Sequence, residues 1–105
     1  MKIEDRYYKQ VQESSSSIKE YLVPEGITVK FIQFGGDAAY SNLVKVEIVF
    51  GDIILFSTHS STVQDSIYEV VGDGEKSIKI NLVNDTEVAE TIGGYWIGIV
   101  DENTF

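Results

Sequence analysis

His59 is the only histidine of the chain, and it lies in the polar stretch STHSSTVQD, with Ser57, Ser60 and Ser61 beside it and Asp65 after it. A serine–histidine–acid set can therefore be written from one segment. Catalytic triads draw their members from distant segments that a rigid scaffold brings together, and a single polar loop offers no such frame. The expected state of His59 is a solvated loop histidine. The nucleophile-elbow, HExxH and phosphate-loop patterns are missing. With no cysteine in the chain there is no thiolate nucleophile, thiolate zinc site or disulfide.

Carboxylates are numerous. Glu87 and Glu90 flank the start of one strand, and Asp101 and Glu102 close the last. Glycoside chemistry needs two carboxyls facing each other across a cleft, which a sandwich of this size has little material to build. Asp37, Asp73 and Asp101 are calcium ligands by type, but GDGEKS lacks the alternating acids of a calcium loop, and Gly-Asp-Gly is ordinary turn chemistry. No metal and no cofactor are expected. A sugar-stacking set is also present by type: Trp96, Tyr95 and Tyr40 for ring faces, with Asp37 and Asn42 for hydroxyls. Against it stands the usual place of a lone tryptophan, in the core.

These residues need elements to hold them. From Ile18 onward, short β-rich runs alternate with turn signals: SIKEYLV, ITVKFIQF, LVKVEIVF, IILFS, SIYEVV, SIKINLV, VAETI and YWIGIV. Val44, Val46, Ile48 and Phe50 share one face of their run, and Ile78, Ile80 and Leu82 share one face of theirs. Pro24-Glu25-Gly26 and Gly51-Asp52 read as tight turns. The expected fold is all-β: an eight-stranded two-sheet sandwich of jelly-roll or related Greek-key type, with an immunoglobulin-like sandwich as competitor.

Residues 1–17 read differently, as an N-terminal arm ending in a joint of four serines, with residues 18–105 forming the sandwich domain. Ile3, Tyr7 and Val11 fall at i, i+4 and i+8, the stripe of a short helix, with Tyr8 beside it. In IGGYWIGIV, Tyr95, Ile97 and Ile99 are expected to face the core and Gly93-Gly94 to form a turn or bulge. Trp96, Gly98 and Val100 then form a strip with a slot at Gly98 that protein, from this chain or a neighbour, is expected to fill.

Eight basic against 17 acidic residues give a net charge of −9, which repels phosphate backbones and argues against nucleic acid as a direct partner. No apolar run approaches the roughly 18 residues of a membrane span, so no membrane insertion is expected. MKIEDRYYKQVQE lacks the apolar region of a secretory leader, so use without Sec-type export is expected.

Three segments, YLVPEGITVKFIQF, GDGEKSIKINLVND and GGYWIGIVDE, follow one another in an order that resembles the small β-sandwich accessory proteins of tailed-bacteriophage particles, of capsid-decoration, head-fibre and tail-associated type. The resemblance spans residues 18–102. It implies a non-enzymatic structural protein located in the virion, with a cytoplasmic soluble protein as the alternative location. By the same analogy it docks on a capsid or tail protein through the arm (Ile3, Tyr7, Tyr8, Val11) and forms a homo-oligomer. The alternative is a carbohydrate- or receptor-binding sandwich assisted by calcium.

Overall fold

The computed structural model describes residues 1–102, with side chains described as far as Val100. The chain is all-β and forms two antiparallel sheets packed as a sandwich. Its strands are β1 (Lys2–Val11), β2 (Ser15–Leu22), β3 (Ile27–Asp37), β4 (Val44–Phe50), β5 (Ile53–Thr58), β6 (Thr62–Asp65), β7 (Glu69–Val71), β8 (Ser77–Asn84) and β9 (Glu90–Glu102). The first sheet has the order β1-β9-β3-β6, with β7 also on β3; the second has the order β2-β8-β4-β5. Apart from the β4–β5 hairpin and the β6–β7 step, each connection carries the chain from one sheet to the other.

Turn chemistry sets these reversals. Gly26 adopts φ 81° and the Ile27 N–H donates to the Pro24 carbonyl at 3.2 Å, which closes a tight turn between β2 and β3. Gly51, at φ 61°, opens the two-residue link between β4 and β5. The inward faces of β4 and β8 are those the alternation predicts: Val44, Val46, Ile48, Phe50, Ile78, Ile80 and Leu82 are all buried.

Residues 1–17 are not a separate arm. Lys2 through Val11 pair in register with Ile99 through Glu90, and Ser15–Ser17 begin β2 against Asn84–Leu82. A spacing of i, i+4, i+8 fits a period of two as well as 3.6, so Ile3, Tyr7 and Val11 line one face of a strand. Ile3 and Tyr7 pack against the core and Val11 belongs to it. Asp5, on the same face, obscured the alternation; it is neutralised by Lys19 of β2 at 2.7 Å.

β9 is also longer than expected. It joins VAETI and YWIGIV into one strand, and Gly93 and Gly94 lie inside it, paired with Tyr8 and Tyr7 on one side and Asp37 and Gly36 on the other. Its faces are inverted relative to the sequence reading. Trp96 is 0% exposed and Ile92 is buried, whereas Ile99 is 40% exposed. The glycines explain the inversion: a Cβ on Gly94 would lie 2.6 Å from Val46 Cγ1 of the opposite sheet, so the small residue lets β9 sit close to that sheet.

An aromatic chain crosses the core. Tyr21 meets Trp96 edge to face at 5.4 Å, Trp96 meets Phe31 at 5.6 Å, Phe31 meets Phe34 at 5.0 Å, and Phe34 stacks on Phe56 at 5.7 Å. Its two ends, Tyr21 on β2 and Phe56 on β5, belong to the second sheet and its middle to the first, so it ties the layers together.

Candidate functional site

The hydroxyl-rich segment around His59 is a self-contained polar corner. His59 donates from Nδ1 to the Val44 carbonyl at 2.8 Å. Thr58, Ser60 and Thr62 hydrogen-bond among themselves, and Ser61 donates to Asp37 at 2.6 Å. Ser57 is an exposed residue of β5 opposite Glu47, and Asp65 lies on β6 opposite Gln33. The residues written as serine, histidine and acid are thus held apart, with His59 on the Val44 carbonyl, Ser61 on Asp37, and Ser57 and Asp65 on different strands.

The acidic candidates are similarly dispersed. Asp73 accepts hydrogen bonds from the backbone N–H groups of Glu75 and Lys76 within its own turn, which hold its carboxyl below the usual range. Glu87 is exposed in the β8–β9 connection, and Glu90 opens β9 opposite Val11. The side chains of Asp101 and Glu102 lie outside the described residues. Among the described residues, no three of His, Cys, Asp and Glu converge as metal ligands.

Of the sugar-stacking set, Trp96 is a core residue and its Nε1 is buried with no hydrogen-bond partner. The slot at Gly98 is filled from within this chain: a Cβ there would meet Val29 Cγ1 at 2.9 Å and the Lys30 carbonyl oxygen at 3.2 Å. Val100 packs partly buried against the core. Tyr40 and Asn42 are exposed in the β3–β4 connection.

Tyr95 and Tyr8 instead form part of the outer face of the first sheet. Strand register brings Arg6, Tyr95, Gly35 and Val63 into one row across β1, β9, β3 and β6. The Tyr95 ring lies over Gly35, its hydroxyl donates to Gln33 at 2.7 Å, and the Arg6 guanidinium covers it at 4.6 Å. Arg6 is in turn paired with Glu4 at 3.1 Å. In the next row, the Tyr8 ring lies over Gly93, where a Cβ would occupy the same space. Burial raises the Tyr8 phenol above its ordinary range, opposed by Arg6 and assisted by Asp37. Glycines under both rings let them lie close against the sheet, where the sequence pattern predicts a turn or bulge at Gly93.

The same sheet ends in an unusual edge. β3 carries a bulge at Ile32, between Phe31 and Gln33. Opposite the bulge, residues 66–68 separate β6 from β7 and are fixed at both sides: Ser66 N–H donates to the Ile32 carbonyl and Phe31 N–H to the Tyr68 carbonyl, both at 2.8 Å. Between these anchors Ile67 is 99% exposed. Tyr68, Ile32, Val71 and Val63 are exposed along the same edge. Sequence reasoning placed Ile67 in a strand; the one signal against this was Ser66, whose hydroxyl accepts the Tyr68 N–H at 3.0 Å and turns the chain.

The outer face of the second sheet carries a buried, paired carboxylate, while Ile18, Leu22, Ile53 and Ile54 of the same sheet are exposed. Glu47 is buried there, accepts from Asn81 Nδ2 at 3.1 Å and lies 3.6 Å from the Lys45 ammonium.

No family model and no curated protein matches the chain. Among the described residues no helix is long and apolar enough to cross a membrane.

Proposed function

We propose that the protein is a non-enzymatic interaction module that assembles through the β3–β6–β7 edge, and that it serves as a virion accessory protein of decoration or fibre type. The observation that carries this reading is Ile67, an almost fully exposed isoleucine held in place by backbone hydrogen bonds on either side. An apolar side chain on a fixed backbone gains on docking without a large ordering cost. Tyr68 and Ile32 beside it are exposed as well, and the carboxylates Asp65 and Glu69 flank them. We read homo-oligomerisation as the outcome, because sheet edges are where copies of a β protein meet.

The strand order supports the finer fold reading. With β6 and β7 taken as one strand interrupted at 66–68, the two sheets have the orders 1-9-3-6/7 and 2-8-4-5. Two Greek keys interleaved in this way are the pattern of an eight-stranded jelly roll, an architecture used in viral capsid and lectin domains. Docking through Ile3, Tyr7 and Val11 is not part of the proposal, because those side chains face the interior. The test is NMR line broadening as protein concentration rises: amide signals of Ile32, Ile67, Tyr68 and Val71 should broaden first, and broadening confined to other surfaces would sink the reading.

One observation favours a second reading, a carbohydrate-binding module. The Tyr8 ring rests on Gly93 and is 48% exposed, so it offers a face for stacking. In that reading Tyr8→Ala folds normally and loses binding on a glycan array, and an array with no hit for the wild type removes it.

A further inference from the structure

The β7–β8 connection contains Gly72-Asp73-Gly74-Glu75-Lys76, and Asp73 is the one aspartate of the chain that precedes a glycine. An aspartyl carboxyl can be attacked by the main-chain nitrogen of the next residue, which closes a five-membered succinimide ring. A side chain on that next residue crowds the attack, and glycine has none.

The structure leaves the reacting groups open and close. Asp73 and Gly74 are both exposed. Gly74 adopts φ 82°, and a Cβ there would meet nothing nearer than Glu25 Cβ at 3.7 Å. Its N–H makes no hydrogen bond among the described residues, so the attacking nitrogen is free. The N–H groups of Glu75 and Lys76 donate to Asp73 Oδ1 at 2.9 and 2.8 Å. These bonds fold the carboxyl back over the Gly74 unit that lies between.

We propose that Asp73–Gly74 is a self-modification site, at which the chain rearranges to isoaspartate. In the first step the Gly74 nitrogen bonds to Asp73 Cγ and the carboxyl C–OH bond breaks; the amide proton and the hydroxyl leave as water. In the second step water adds to one ring carbonyl. Addition at Cγ restores aspartate. Addition at the main-chain carbonyl breaks its bond to nitrogen, and the chain then runs through the Asp73 side chain. The first step uses the neutral carboxyl. The N–H groups of Lys76 and Glu75 hold the Asp73 pKa below its usual value, and the Lys76 ammonium acts in the same sense. Glu75 beside it and Glu25 of the facing turn are the neighbouring carboxylates. Conversion is therefore slow at neutral pH and faster in mild acid.

The rearrangement reaches beyond its own turn. Gly26 N–H donates to the Gly72 carbonyl at 3.2 Å, Gly72 N–H to the Ile27 carbonyl at 2.7 Å and Val23 N–H to the Lys76 carbonyl at 3.2 Å. These bonds lock the β7–β8 connection to the β2–β3 turn. A Cβ on Gly72 would lie 2.1 Å from the Pro24 carbonyl oxygen, so the two segments have no slack between them. Isoaspartate adds one carbon to the main chain between Gly72 and Lys76 and displaces the carboxylate that the turn is built around. Both connections loosen as a result.

The experiment ages the full chain for several weeks in mildly acidic buffer at physiological temperature. Isoaspartate is measured by enzymatic methylation with a labelled methyl donor and located by peptide mapping. Asp73 is expected to carry severalfold more label than any other aspartate. Amide NMR signals of Gly26, Gly72 and Lys76 should weaken in proportion to that label, while those of β4 stay unchanged. Asp73→Ser, whose hydroxyl can accept N–H bonds in the same turn, should lose most of the label and keep the wild-type spectrum elsewhere. Asp73→Asn, which expels ammonia in place of water, should form isoaspartate severalfold faster. No label at Asp73, label spread evenly over Asp37, Asp52, Asp65 and Asp73, or a label that Asp73→Ser leaves undiminished, overturns the proposal.

Discussion

Tyr21 and Trp96 meet edge to face across the two sheets, with ring centroids 5.4 Å apart and planes inclined by 69°. Tyr21 belongs to an edge strand of one sheet and Trp96 to an inner strand of the other, so this pair joins the layers from the β2 side. Trp96→Ala should cost about 3–5 kcal/mol, the range for removing a large buried aromatic. Urea denaturation checks the loss, and acrylamide should quench wild-type Trp96 only weakly. A variant as stable as the wild type would refute this account of the core.

The first strand should be indispensable. Deleting residues 1–11 removes β1, uncovers the edge of β9 and takes Val11 from the core. The truncated chain is expected to lose its dispersed amide spectrum and its cooperative thermal transition. A folded, cooperative truncation would return these residues to the role of a dispensable arm.

Acid should weaken the β7–β8 turn. Asp73 has a folded-state pKa below the ordinary 3.8, because the N–H groups of Lys76 and Glu75 bond its carboxylate. A depressed folded pKa contributes stability that is present above the unfolded value and lost as pH falls through the folded one. Asp73→Asn should therefore narrow the stability difference between pH 5 and pH 2 relative to the wild type, as read by urea midpoints. An unchanged difference would show that the turn bonds carry no linkage.

Much of the fold was legible where one face of a strand is apolar and the other polar. In β4 and β8 the alternation is unambiguous and the structure follows it. β9 is apolar on both faces, so alternation could not choose between them. The choice was made by packing that no local pattern encodes: Gly94 against Val46 and Gly98 against Val29 bring Trp96 inside. At β1 the spacing of Ile3, Tyr7 and Val11 fitted two periods, and the partner that decided the matter, β9, lies at the other end of the chain. The surface features were hidden for a related reason. The Tyr8–Gly93 and Tyr95–Gly35 pairs and the Ile67 anchor all depend on which strands become neighbours.

Sedimentation equilibrium of the wild type beside Ile67→Asp tests the central proposal most directly. Ile67 is almost fully exposed, so a charge there should leave the fold intact while removing the apolar contact. The wild type should associate reversibly as concentration rises, and Ile67→Asp should remain a monomer over the same range. A wild type that stays monomeric throughout, or an association that Ile67→Asp leaves unchanged, would contradict assembly through this edge.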